Sequence, residues 1–150
     1  MPIQQATDYG IRAVLHLALK PGQLVEAQEI ACEERIPLQF LQKILRLLGS
    51  AGLIETKRGN AGGCRLRRDP AEITLLDVVA AVEGTHKLTR CLDDPDHCSK
   101  GWADRCPVHR RLGAIQEYLE KELGACTFAD LVAEVRTHQD EADLEGSVRQ

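Results

Sequence analysis

The stretch from Leu38 to about Ser50 constrains this chain most, because it carries two patterns at once. Leu41, Ile44, Leu45 and Leu48 recur at helical spacing and form a stripe that must be buried, while Gln39, Gln42, Lys43 and Arg46 repeat that spacing on another side. Such a helix packs on a core with one face and offers hydrogen-bond donors with the other. Side chains of these types read base edges from a helix lying in the major groove of DNA. A polar face taken alone is also what any solvated helix shows, so the neighbouring segments have to decide.

Upstream, Ile11, Val14, Leu15 and Ala18 mark an amphipathic helix over residues 5–19. After Pro21 and Gly22, Val25 to Glu34 reads as a short second helix. Ile36-Pro37 interrupts it, since the residue before proline disfavours the helical region. Downstream, Gly52 ends the third helix, and Leu53 to Lys57 and Arg65 to Arg68 read as two short strands around a Gly-rich turn at residues 59–63. Three helices followed by a hairpin is the order of a winged helix. The hairpin places Lys57 and Arg58 before its tip, Asn60 within it and Arg65 after it, so cations flank backbone flexible enough to approach phosphates or a minor groove.

Charge agrees with this division. Residues 1–70 hold ten Lys/Arg against seven Asp/Glu, and residues 71–150 hold nine against sixteen, so a mild basic bias sits in the half that carries the helices and hairpin. Only 3% of the 150 residues are aromatic and 43% are hydrophobic, mostly aliphatic at helix-like spacing, which favours a helical fold over a β-sandwich. No apolar run reaches a membrane span, and the first residues lack the basic-then-apolar pattern of a secretory signal, so a cytoplasmic protein with no membrane partner is expected.

Beyond the hairpin, Thr74 and Asp77 form a capping-box pattern for a fourth helix, Leu75 to Glu83, stopped by Gly84. Periodicity is lost from 85 to 108. It returns as Leu112, Ile115, Leu119 and Leu123, a helix long enough to pair two subunits. Thr127 and Asp130 cap one more short helix to about Arg136, and the acidic segment after it is expected to fray.

The aperiodic segment contains Cys91, Cys98, Cys106 and His109, four potential ligands within nineteen positions. In a reducing cytosol these thiols point to metal or redox chemistry rather than to disulfides. Thiolates with an imidazole suit zinc or an iron-sulfur cluster. The tight C-x2-C pairs of zinc knuckles are missing, and gaps of six and seven suit a cluster held in a wide loop; a zinc site and unliganded thiols remain the alternatives. Cys32 and Cys126 read as small core residues. No C-x-x-C pair, nucleotide-binding glycine motif or nucleophile-base pair argues for an enzyme.

In combination, Ala6-Thr7-Asp8-Tyr9-Gly10-Ile11-Arg12-Ala13-Val14, Ile36-Pro37-Leu38-Gln39-Phe40-Leu41-Gln42-Lys43-Ile44-Leu45, Arg58-Gly59-Asn60-Ala61-Gly62-Gly63, Ile73-Thr74-Leu75-Leu76-Asp77-Val78-Val79 and the cysteine loop resemble the Rrf-type winged-helix repressors, the family of IscR, NsrR and RirA. The resemblance spans roughly residues 1–137. It implies a homodimer with crossing C-terminal helices and a 2Fe-2S or 4Fe-4S cluster near the partner's first helix. It also implies sensing of iron, iron-sulfur supply, nitric oxide or redox state. Cys91, Cys98 and Cys106 match the family's cysteine ligands; the fourth ligand is either His109, as in IscR-like members, or Asp8 of the opposite subunit, as in NsrR-like members. Two departures stand out: the cysteine gaps are wider than the family's usual five, and Cys64 occupies a wing position that often holds an aromatic residue.

The sequence therefore predicts a mainly α protein with a small β-hairpin wing, a winged helix-turn-helix followed by a long C-terminal dimerisation helix. Residues 1–84 form the DNA-binding region, 85–109 the cofactor loop, 110–137 the dimerisation and terminal helices, and 138–150 a flexible acidic tail. The expected function is that of a homodimeric transcriptional regulator, most simply a repressor, on double-stranded promoter DNA, sensing through a Cys-ligated iron-sulfur cluster; the alternative is a cluster-free regulator with a zinc site or a thiol switch.

Overall fold

A computed structural model describes residues 4–84 and 86–148, with side chains described as far as residue 139. The chain folds as α1 (Gln5–Leu19), α2 (Ala27–Glu33), α3 (Leu38–Ser50), β1 (Ile54–Lys57), β2 (Gly63–Leu66), α4 (Leu75–Glu83), α5 (Arg90–Asp93), α6 (Pro107–Ala125) and α7 (Phe128–Val148), with short 3-10 turns between some of them. This is a winged helix-turn-helix with added C-terminal helices.

The core lies where the apolar stripes of α1, α3 and α4 meet. Ala13, Val14 and Leu17 of α1, Leu41, Ile44 and Leu48 of α3 and Val78 of α4 are buried together. A methyl at Gly10 would lie 3.1 Å from Val82 and 3.3 Å from Val78, so the missing side chain lets α1 lie close on α4. Thr7 is fully buried beside it and donates from Oγ1 to Glu83 Oε1 at 2.6 Å, tying the start of α1 to the end of α4.

The helix-turn-helix closes through backbone geometry. At the end of α2 the Ile36 N–H reaches back to the Ala31 carbonyl at 2.9 Å, with Arg35 in the left-handed region at φ 53°. At the end of α3 the Leu53 N–H bonds the Leu48 carbonyl at 3.0 Å across Gly52 at φ 73°. Both are the six-to-one bond of a Schellman ending. Glycine meets that conformation without strain at Gly52; Arg35 meets it despite its Cβ.

The wing differs in register from the expected strands. β1 and β2 pair antiparallel with Ile54 opposite Leu66 and Lys57 opposite Gly63, so the second strand starts two residues earlier than expected and ends before Arg67. Cys64 decides this, because the register that turns it inward leaves Arg65 outward. Val25 also departs from expectation. It pairs with Cys64 as an isolated bridge, with N–H to carbonyl distances of 2.9 and 2.8 Å, and α2 begins only at Ala27. The close approach requires Gly63: it sits at φ 155°, and a Cβ there would fall 2.7 Å from the Val25 carbonyl oxygen.

The two expected caps form. Thr74 Oγ1 accepts the Asp77 N–H while the Asp77 carboxylate accepts the Thr74 N–H at 2.8 Å, and Thr127 and Asp130 repeat the pattern at α7. A short bridge joins these helix starts: the Leu75 N–H donates to the Cys126 carbonyl, and the Phe128 N–H to the Ile73 carbonyl. It carries Phe128 into the core, where it is wholly buried. The last helix, expected to end near Arg136, runs to Val148, since no proline follows Arg136 and the one glycine there, Gly146, falls in its last turn. The final two residues of the expected acidic tail lie outside the described residues.

Candidate DNA interface and cysteine site

Helix α3 presents the expected polar face. Leu41, Ile44, Leu45 and Leu48 are buried, and Gln39, Gln42, Lys43 and Arg46 are exposed. Lys57, Arg58 and Asn60 are likewise exposed at the base and tip of the wing. Arg65 is placed differently, since its Nε donates to Glu55 Oε1 at 2.5 Å across the strand pair and one of its donors is committed. Between α3 and the wing runs a cleft of about 700 Å3, lined among others by Gln42, Arg46, Ser50, Thr56 and Arg67. Ser50 and Thr56 were not singled out from sequence, because only the fold brings the end of α3 beside the strands.

The cysteine segment is less irregular than its sequence suggests. Cys91 lies in α5, Cys98 follows a 3-10 turn over Pro95–His97, and Cys106 is the N-cap of α6. The Cys106 sulfur accepts the His109 N–H at 3.5 Å, and the His109 ring turns back so that Nδ1 lies 3.4 Å from Cys91 Sγ. The start of α6 thus links Cys106 to the His109 backbone and Cys91 to the His109 ring. The Cys98 sulfur accepts the Trp102 N–H at 3.4 Å. That N–H, followed by those of Lys100, Gly101 and Ala103, holds the Cys98 thiol below its ordinary range, favouring the thiolate a metal requires.

Among the described residues, no three of Cys91, Cys98, Cys106 and His109 bring ligand atoms within 4.8 Å of one another. A tetrahedral zinc with bonds near 2.3 Å needs its ligands roughly 3.8 Å apart. Cys91 Sγ and His109 Nδ1, 3.4 Å apart, are near enough to share one metal ion, and no third donor of the set closes into a compact trio with them.

The anchors of this loop were not foreseen. Gln116 of α6, buried though polar, accepts the Leu88 N–H at 2.9 Å, and its amide nitrogen donates to Glu120 Oε1 at 2.9 Å and to the His86 carbonyl at 3.4 Å. Lys87 closes the group with a 2.6 Å bond to Glu120, which with the Gln116 amide holds that carboxyl below its ordinary range. No motif marks a buried glutamine in sequence.

Asp8 is exposed on α1 and pairs with Arg12 at 3.1 Å. Within one chain it is not joined to the cysteine loop. A second group, His16 with Glu29 and Glu33, has ligand atoms within 4.8 Å. Lys20 already supplies a positive charge there, 2.5 Å from Glu29 and 3.7 Å from Glu33.

The remaining cysteines divide. Cys64 is buried and its thiol is pushed up to about 11 by desolvation, which makes it a packed, protonated group. Cys126 is half-buried, with its thiol raised by burial and then by Asp130 and Glu134. Cys32, expected as a core residue, is exposed, because the buried side of α2 is Ile30 and Ala31.

A two-faced third helix, a basic hairpin and a cleft between them define the class: a winged-helix DNA-binding regulator. Residues 3–134 match the sequence model of the Rrf2 family, described as iron-dependent transcriptional regulators. The chain belongs to this family. It is similar to the HTH-type transcriptional regulator NsrR of Shouchella clausii, 35% identical over 81% of this chain and 84% of that protein. It is similar also to NsrR of Halalkalibacterium halodurans, 34% identical over 94% of each. Among solved structures, CymR, the global cysteine regulator of B. subtilis, aligns at 27% identity with a TM-score of 0.68, covering 89% of this chain and 98% of that one. The IscR structure from T. potens shares the fold, with a TM-score of 0.75 at 23% identity over 93% and 91% of the two chains. The protein is a DNA-binding transcriptional regulator, and its relatives are regulators rather than enzymes. Among the described residues no helix is long and apolar enough to cross a membrane.

Proposed function

We propose that this protein is a homodimeric promoter-binding regulator, most simply a repressor, that senses iron, iron-sulfur status, nitric oxide or redox state through an iron-sulfur cluster held by Cys91, Cys98 and Cys106, with His109 as the fourth ligand. The observation that carries the reading is the contact between His109 Nδ1 and Cys91 Sγ, made where Cys106 caps α6. Thiolates hold such clusters and imidazoles replace thiolates in some of them, so three sulfurs and an imidazole suit one. When bound, a cluster supplies iron that exchanges electrons and reacts with nitric oxide.

The chain's own residues couple that site to DNA. Gln116 fastens residues 86–88 to α6, so the loop and the long helix move together. Along α6, Val108, Ile115, Tyr118 and Leu119 are exposed, an apolar face of the kind that pairs two subunits. Rearrangement of the loop would shift the pairing of the α6 helices and with it the spacing of the two α3 helices on DNA. Gln39, Gln42, Lys43 and Arg46 would meet base edges, and Lys57, Arg58 and Asn60, with Arg65 at the wing's base, the phosphates and adjoining minor groove.

The test is anaerobic purification followed by a visible spectrum with iron, sulfide and zinc analysis. Iron and sulfide with a brown chromophore, lost in Cys98→Ala, are expected. Zinc alone, or a full spectrum in Cys98→Ala, would overturn the assignment.

A further inference from the structure

The outward side chains of α3 fall in rows set by the helical repeat. Gln42 and Gly49 lean toward the wing and line its cleft. Gln39, Lys43 and Arg46 form the outermost row, and Phe40 with Leu47 forms the edge away from the wing. Phe40 is 58% exposed. The chain has two phenylalanines and the other, Phe128, is wholly buried, so Phe40 is the phenylalanine left in water. The Lys43 ammonium lies 6.0 Å from the centre of this ring, setting a cation and an apolar surface side by side.

In a major groove the one apolar group a base offers is the C5-methyl of thymine, and phenylalanine is among the side chains that pack against it. The N-terminal residues of a recognition helix are those that reach base edges. Phe40 lies in the first turn of α3, whereas Leu47, 43% exposed, lies two turns further on. We propose that Phe40 reads a thymine by packing on its C5-methyl, next to the position that Lys43 contacts. The proposal rests on the reading of α3 as the recognition helix.

The experiment uses the full-length, anaerobically purified protein and a duplex enriched by it from a random-sequence pool. Each thymine is replaced in turn by uracil, which removes only the methyl. The wild type is expected to lose about fourfold in affinity at one position, the worth of one buried methyl group. Phe40→Ala should bind the parent duplex more weakly and be indifferent to that uracil, whereas Gln39→Ala should retain the uracil effect. A thymine effect that persists in Phe40→Ala, or a Phe40→Ala protein that binds every duplex as the wild type does, would overturn the thymine contact while leaving α3 as the reading helix. A pool from which nothing is enriched would overturn the underlying reading and the contact with it. Because Phe40 is largely exposed, a folding defect is not expected; circular dichroism of the variant checks this.

Discussion

The side-chain carbonyl of Gln116 accepts the backbone N–H of Leu88 at 2.9 Å, across 28 residues of chain. Gln116 is 2% exposed, so its end of this bond and of its companions to His86 and Glu120 is shielded from water. Truncating it leaves the half-buried Leu88 N–H without its acceptor, which costs about 1 kcal/mol or more. Gln116→Ala should lose that much stability in urea denaturation, and the Leu88 amide should exchange its hydrogen far faster. Unchanged exchange at Leu88 would show that the loop is held elsewhere.

Placement separates the two candidates for the proposed fourth ligand. His109 contacts Cys91 within the chain, while Asp8 is paired with Arg12. His109→Ala should therefore alter the visible spectrum of the anaerobic protein, and Asp8→Ala should leave it intact. The reverse result would assign the ligand to the opposite subunit.

On the wing, exposure predicts the salt response. Each phosphate contact contributes roughly one unit to the slope of log affinity against log salt concentration. Lys57→Ala and Arg58→Ala should each lower the slope by about that much. Arg65→Ala should lower it less, because Glu55 already holds its Nε. Equal effects for all three would mean that DNA breaks the Arg65–Glu55 pair.

Burial of Cys64 makes a pH prediction. Its thiol rises from the ordinary value of 9.0 to about 11 in the folded chain. The folded state therefore holds the proton more tightly than the unfolded one. The stability this contributes is complete below about pH 9 and is lost as pH rises toward about 11, on the order of 3 kcal/mol in all. Denaturation midpoints measured across that window should fall less steeply for Cys64→Ala than for the wild type. At pH 8 the native thiol should resist iodoacetamide until the protein is unfolded.

Local pattern was enough to find α1, α3, α4 and α6, the two Thr/Asp caps and the wing, because each is written in residues close together: a stripe at helical spacing, a Thr three residues before an Asp, a glycine-rich turn between short apolar runs. The four potential ligands were legible for the same reason, as residue types confined to one short segment. What sequence could not supply was anything fixed by a partner far along the chain. Val25 leaves its helix because the Cys64 backbone pairs with it, and the strand register follows from turning Cys64 inward. Arg65 is held by Glu55, Cys32 falls on the outer side of α2, and Phe128 enters the core through the bridge beside Thr74. By itself the sequence determined which faces must be buried and which residue types can bind DNA or metal, since hydrophobic periodicity and side-chain chemistry are local. The tertiary structure alone decided that Gln116 anchors the cysteine loop and that His109 meets Cys91, because buried hydrogen bonds and ligand contacts are satisfied only once distant segments have packed.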